Sequence, residues 1–243
     1  MKKHLSKILI AALAFLMFNC QASDKKENRV LIFAKTMGYH HGSIEKAIVI
    51  LKQACTQEGM IADTTRNADV FTTDNLKNYK VVVFLNTSGD IFNEAQQTAF
   101  EKYIQSGGGF VGIHAATDTE YEWQWYNKLV GAYFLSHPNQ QKATINVTDK
   151  NNVATSFLPE KWERTDEWYN FKNINPDIKV LAYLDETTYT GGQNGQTHPF
   201  IWCHEFDGGR AFYSGVGHRD DNYDEPLVIK HLIGAIQWAG KIK

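Results

Sequence analysis

Apolar residues along this chain fall into two kinds of run. Short unbroken ones, Val30-Leu31-Ile32-Phe33-Ala34, Val81-Val82-Val83-Phe84-Leu85 and Phe110-Val111-Gly112-Ile113, have the length and composition of strands buried on both faces of a parallel sheet. Between them the apolar residues recur at helical spacing. One such stretch runs over 44–58, with Ser43 as its expected cap, Glu45 in its first turn and Gly59 at its end. Another begins at Asn93, carries Ala95, Ala99, Phe100, Tyr103 and Ile104, and closes at Gly107. Residues 60–65 read as a second strand and 73–79 as a short helix or turn. Strands alternating with helices through short connections predict an open parallel sheet covered on both sides.

The second half is richer in strands. Residues 142–147, 179–184, 200–206 and 210–214 all carry strand patterns, the last two joined by a turn at Gly208-Gly209. A closing helix over 226–238 presents a broad apolar surface. No repeat, low-complexity tract or linker interrupts the pattern, so one α/β domain over 29–241 is expected.

Composition changes this picture only at the start of the chain. Lys2, Lys3 and Lys7 precede the apolar run 8–18, which is short for a membrane span and has the layout of an export signal over residues 1–19. Cys20 stands where a bacterial lipoprotein carries its lipid, although Phe18-Asn19 replaces the usual small residues, and 20–28 reads as a polar tether. An exported protein of the periplasm or an outer-membrane lipoprotein is expected, touching membrane only through that anchor. Removing residues 1–19 takes three lysines and no acid, so the formal charge of −2 becomes −5 and nucleic acid is not an expected partner. Cys55 and Cys203 then remain, each placed like a small buried apolar residue, with a single disulfide between them left open.

Histidine is what stands out chemically. Loops that directly follow three expected strands hold His40 and His41, His114, and His218; His137 sits in a further connection. In an open α/β sheet such loops meet at the carboxyl ends of the strands, where ligands bind. His114 ends its strand as a nucleophile does at a sharp strand-to-helix elbow, but imidazole suits proton transfer or metal ligation better than acyl transfer. His204 and His231 lie inside a strand and a helix and read as structural, while His198, before Pro199, reads as either a turn residue or a contributor. Acids interleaved with aromatics, Asp118 with Trp125-Tyr126 and Asp166-Glu167 with Trp168-Tyr169, suit a sugar, whose C–H faces stack and whose hydroxyls hydrogen-bond.

The motifs Gly107-Gly108-Gly109-Phe110-Val111-Gly112-Ile113-His114-Ala115-Ala116-Thr117-Asp118, Trp125-Tyr126, Ser136-His137-Pro138, Asp166-Glu167-Trp168-Tyr169, His198-Pro199 and Gly217-His218 together resemble the ThuA-like, or trehalose-utilisation, family. The resemblance runs from about Val30 to about Gly240. It implies a flavodoxin-like, class I glutamine amidotransferase-like three-layer α/β sandwich with a mostly parallel central sheet and a β-rich C-terminal half. The amidotransferase cysteine is replaced by His114, so no glutaminase activity is expected. The resemblance also implies action on trehalose-like 3-keto-glycosides, with a sugar dehydrogenase upstream: the ketone acidifies the C2 proton, and the glycosidic oxygen departs by elimination.

By position, His114, Asp118 and Glu167 are then the catalytic candidates, with His114 leading as acid/base. His40, His41, Trp125, Tyr126, His137, Trp168, Tyr169, His198 and His218 are the substrate-binding candidates. No cofactor is required by this reading. Two alternatives stay open: a divalent metal held by His40 or His41 with His114 and His218, and a carbohydrate-binding lipoprotein without catalysis. One departure is that 148–154 lacks a His-Pro pair common in relatives, which would alter substrate choice if that pair touched the ligand.

Overall fold

The unbroken apolar run at 81–85 lies wholly buried as an interior strand of a sheet in the computed structural model, which describes residues 27–243. The expected leader over 1–19 and the lipid site at Cys20 fall outside the described residues. In chain order the first half comprises β1 (Arg29–Phe33), α1 (Ile44–Gln57), β2 (Ile61–Thr65), α2 (Thr73–Leu76), β3 (Val81–Leu85), α3 (Glu94–Gln105), β4 (Gly109–Ile113) and α4 (Gln124–Val130). The second comprises β5 (Tyr133–Ser136), β6 (Gln141–Val147), β7 (Lys161–Asp166), β8 (Asn170–Lys172), β9 (Lys179–Leu184), β10 (Pro199–Phe206), β11 (Gly209–Ser214) and α5 (Pro226–Gly240).

Among the described residues, nine strands form one sheet in the order β2-β1-β3-β4-β11-β10-β9-β6-β7, and β5 pairs with β8 separately. From β2 to β11 the strands are parallel; from β10 to β7 the pairings are antiparallel. The chain reverses its direction of travel across the sheet between β1 and β3, a switch point that leaves a crevice at the carboxyl ends. Helices cover both faces. On one, Phe84 and Phe110 meet Phe100 of α3 and Tyr126 of α4; on the other, α5 lies so close that a Cβ on Gly109 would meet the Ala239 carbonyl at 2.6 Å.

The two glycines just before β4 are required for distinct reasons. Gly107 sits at φ +93°, in the left-handed region where L residues are strained, and a Cβ on Gly108 would lie 2.4 Å from the Tyr103 ring. Asn93 caps α3 reciprocally with Gln96, each side chain taking the other's backbone N–H at 3.0 Å.

Two local expectations change. Ser43 does not cap α1; its hydroxyl donates to the Gly217 carbonyl at 3.2 Å, tying the loops after β1 and β11 together. The β10–β11 turn centres on Asp207-Gly208, both at positive φ, because Phe206 pairs with Gly209. Among the described residues Cys55 and Cys203 are buried and form no disulfide, in keeping with their expected apolar settings, and burial pushes both thiols up to about 12.

Candidate active site

The sheet positions the histidines by ending strands beneath them. β4 delivers His114 into the left-handed region at φ +45°, the elbow its sequence suggested, and the Tyr213 hydroxyl donates to its carbonyl at 2.8 Å to hold the turn. Its Nδ1–H donates to the Gly215 carbonyl at 3.1 Å, which turns Nε2 towards Glu167 Oε2, 3.3 Å away. His41 and His218 arrive from the loops after β1 and β11. The three ring centroids form a near-equilateral triangle, with sides of 5.0, 5.1 and 5.2 Å.

Asn86, at φ +48° just beyond β3, fastens this arrangement. Its amide donates to the Ser43 hydroxyl and the Gly217 carbonyl, both at 3.1 Å, while its own oxygen accepts the Ala115 N–H at 3.4 Å. Three histidine-bearing loops are thus joined through one buried side chain.

Glu167 comes from the far edge of the sheet. Buried Asp166 accepts its backbone N–H at 3.0 Å and is itself held by Asn222 at 2.7 Å. The Glu167 carboxylate then meets three imidazoles, with Oε2 at 3.3 Å from His114 and 3.1 Å from His218, and Oε1 at 3.2 Å from His137. The His218 Nδ1 is close to Glu167 but not aligned for a hydrogen bond.

Burial pushes the Glu167 carboxyl up, but His114 and His218 outweigh it and hold the group well below the usual carboxylate range. Burial, aided by repulsion from His114 and His218, holds His41 down to about 2, so its ring is neutral. Asp118 moves the other way: burial raises it, opposed by the Tyr121 hydroxyl that donates to Oδ1 at 2.6 Å.

Above the cluster lies a cavity of about 280 Å³. Tyr39, Phe134 and Tyr169 supply aromatic surface, and His41, Asp118, His137 and Glu167 supply polar groups. A larger groove of about 420 Å³, bordered by Val153, Phe157, Ile229 and Ile233, holds none of the histidines. Convergent ionisable groups, not volume, single out the smaller cavity.

Several expected site residues lie elsewhere. His40 is exposed, with its Nδ1 3.2 Å from the Thr36 hydroxyl, while its neighbour His41 turns inward. Tyr126 is fully buried, donating to the Ala116 carbonyl at 2.7 Å, and Trp168 is buried against Phe200. Trp125 stacks on Trp123 and bonds Asp207 in the β10–β11 turn, at the other end of the strands. His198 is buried between Glu186 and the Tyr169 carbonyl, 2.8 Å from each, so it supports a pocket residue from behind. His114 has 0% exposure and forms no part of the cavity wall. The 148–154 departure borders the large groove, through Val153, and contributes nothing to the lining of the cavity above the histidine cluster. Nothing in the sequence marks Tyr39 as a cavity residue, and the only signal for Asn86 is its position one residue past a central strand.

The fold and the sequence have relatives. A ThuA-like protein from Bacteroides uniformis is 25% identical, with 88% of this chain and 92% of that chain covered at a TM-score of 0.75. A second, from Parabacteroides merdae, is 22% identical over 90% of this chain and 91% of that one, at 0.73. A β-galactosidase from Bacillus circulans sp. alkalophilus shares the fold over 32% of its length, with 12% identity and a TM-score of 0.60. No curated protein matches the sequence. The family model for trehalose utilisation, ThuA, matches residues 29–239, and the chain belongs to that family.

Proposed function

We propose that this protein cleaves 3-keto-glycosides of the trehalose type by removing the proton next to the ketone. Membership of the trehalose-utilisation family gives it a role in carbohydrate metabolism. The observation that carries the finer reading is the convergence of Asp118, His137 and Glu167 with the Tyr39 and Tyr169 rings around one cavity. Its size is just below the ~300 Å³ at which small-molecule pockets begin, which suits a single sugar ring.

Roles follow from the surroundings of each group. Asp118 faces the cavity and has its proton affinity raised by burial, so it is assigned as the base that takes the C2 proton. Electrons from that C–H bond form the C1–C2 double bond as the C1–O bond breaks, and the departing oxygen takes a proton. His137 is the donor assigned to it. Its side chain is 43% exposed, its Nδ1 rests against Glu167, and no hydrogen bond engages its Nε2 among the described residues. Glu167, held so far towards its anion, is a poor base and serves to orient the imidazoles around it. His114, buried beneath it, acts through Glu167 as a positioning residue.

The reading includes export, attachment at Cys20 and a sugar dehydrogenase that supplies the ketone. A substrate deuterated at C2 tests the chemistry: a primary isotope effect on cleavage is expected, and Asp118→Asn should slow turnover by about 10²–10⁴-fold. Cleavage without an isotope effect, and unchanged in Asp118→Asn, would assign the reaction to another mechanism.

A further inference from the structure

We propose that His41, His114, Glu167 and His218 form a binding site for one divalent transition-metal ion of the zinc class. One donor atom from each lies within 4.8 Å of all the others, and the four residues come from four separate loops. Two independent features indicate a missing partner. Among the described residues Nδ1 of His41 has no hydrogen-bond partner, in a residue only 2% exposed, and an unsatisfied buried polar atom costs about 1–3 kcal/mol. His114 supplies the second. With its Nδ1–H committed to the Gly215 carbonyl, the ring aims Nε2 at a carboxylate oxygen 3.3 Å away, and two acceptor atoms so placed need a cation between them, a proton or a metal ion. A proton would serve that one pair of atoms; a metal ion serves all four donors.

The donor set chooses the metal. Three neutral imidazoles and one carboxylate carry a single negative charge, and nitrogen-rich sets suit zinc and neighbouring first-row ions, whereas magnesium and calcium favour oxygen. The bond from His114 Nδ1–H to a backbone carbonyl is the outer support that metal-binding imidazoles generally have.

His218 shows what loading must change. Arg219 donates to Gln140 Oε1 at 3.1 Å, so the Gln140 amide donates to His218 Nε2 at 2.7 Å and leaves the ring proton on Nδ1. Coordination through Nδ1 moves that proton to Nε2, and exposed Gln140 must turn its amide to present oxygen. Gln140 is therefore a positioning residue for the metal.

His41 and Glu167 also line the cavity, which sets the ion at its floor. A ketone or hydroxyl oxygen of the substrate can complete the coordination there. This last step rests on the proposed sugar reaction; metal binding itself does not.

Zinc titrated by calorimetry into untagged, chelator-stripped protein, with cobalt absorption as a second readout, tests the site. One equivalent per chain is expected, with visible cobalt bands of nitrogen and oxygen coordination. Affinity should fall at least about 100-fold in Glu167→Gln and His41→Gln and about 10–100-fold in Gln140→Leu, and stay unchanged in His40→Ala. Absence of saturable binding, or undiminished binding in Glu167→Gln protein whose circular dichroism matches the parent, would overturn the proposal. Stoichiometric binding with no sugar turnover supports the site while removing the reaction. Full turnover in metal-free protein leaves the reaction and removes the ion's part in it.

Discussion

His114 and Glu167 meet at 3.3 Å, and neither is free to move away: the histidine is fixed by the Gly215 carbonyl and the glutamate by Asp166 at its backbone. The pair joins the elbow of β4 to the far edge of the sheet. Replacing the carboxylate by an amide of the same shape removes the anion that three imidazoles share. Glu167→Gln is expected to lower kcat by about 10²–10³-fold, with KM changed far less and the thermal transition preserved. Steady-state kinetics on folded variant measures this, and a parental kcat would contradict the role.

Asn86 gives a prediction about the frame. It holds three loops from a left-handed backbone position, so Asn86→Ala loses buried hydrogen bonds and also places an alanine at φ +48°. Asn86→Gly loses the same bonds without that strain. Urea unfolding should show Ala less stable than Gly by about 1–2 kcal/mol, an order that ordinary propensities do not give outside this conformation. Equal stabilities would mean that the turn relaxes.

The aromatic residues divide cleanly between pocket and core. Trp125→Ala removes a contact to Asp207 far from the cavity and should leave KM for the sugar unchanged, whereas Tyr169→Ala removes a cavity wall and should raise it at least about tenfold. A raised KM in the Trp125 variant alone would relocate the binding site.

Much of this fold could be read from the sequence because the parallel strands are buried on both faces and so are continuously apolar. The β7 strand could not. Its buried side carries Trp162, Arg164 and Asp166, and two of those three are charged, which hides the alternation. Arg164 is acceptable there because it is paired with Glu225 and Asn222. In the site, strand-following histidines were legible as a group, but which of His40 and His41 turns inward depends on loop geometry. The tryptophans misled for a general reason: a large ring beside an acid looks the same in sequence whether it stacks on a sugar or fills the core. Glu167 was legible only as one of an adjacent pair, and packing decides that Asp166 is the buried support.

Acid should weaken the fold through His231. Burial holds its imidazole down to about 4, with the Ala154 carbonyl opposing; neutral, it donates from Nδ1 to that carbonyl at 2.8 Å and accepts from Ser214 at 3.0 Å. The folded value lies below the unfolded one, so the unfolded chain gains the proton first, and stability complete above about pH 6.5 falls as pH drops towards 4. Between pH 7 and pH 5 the stability gap between the parent and His231→Gln should shrink by about 2 kcal/mol. Urea melts at the two values measure it, and a constant gap would mean that His231 titrates normally.

The central claim is settled most directly by incubating the protein with 3-keto-trehalose and with trehalose and following glucose release. Release from the keto sugar alone is expected, and it should be lost in Asp118→Asn. Release from neither sugar, with trehalose bound tightly, would contradict it and make the cavity a binding site without chemistry.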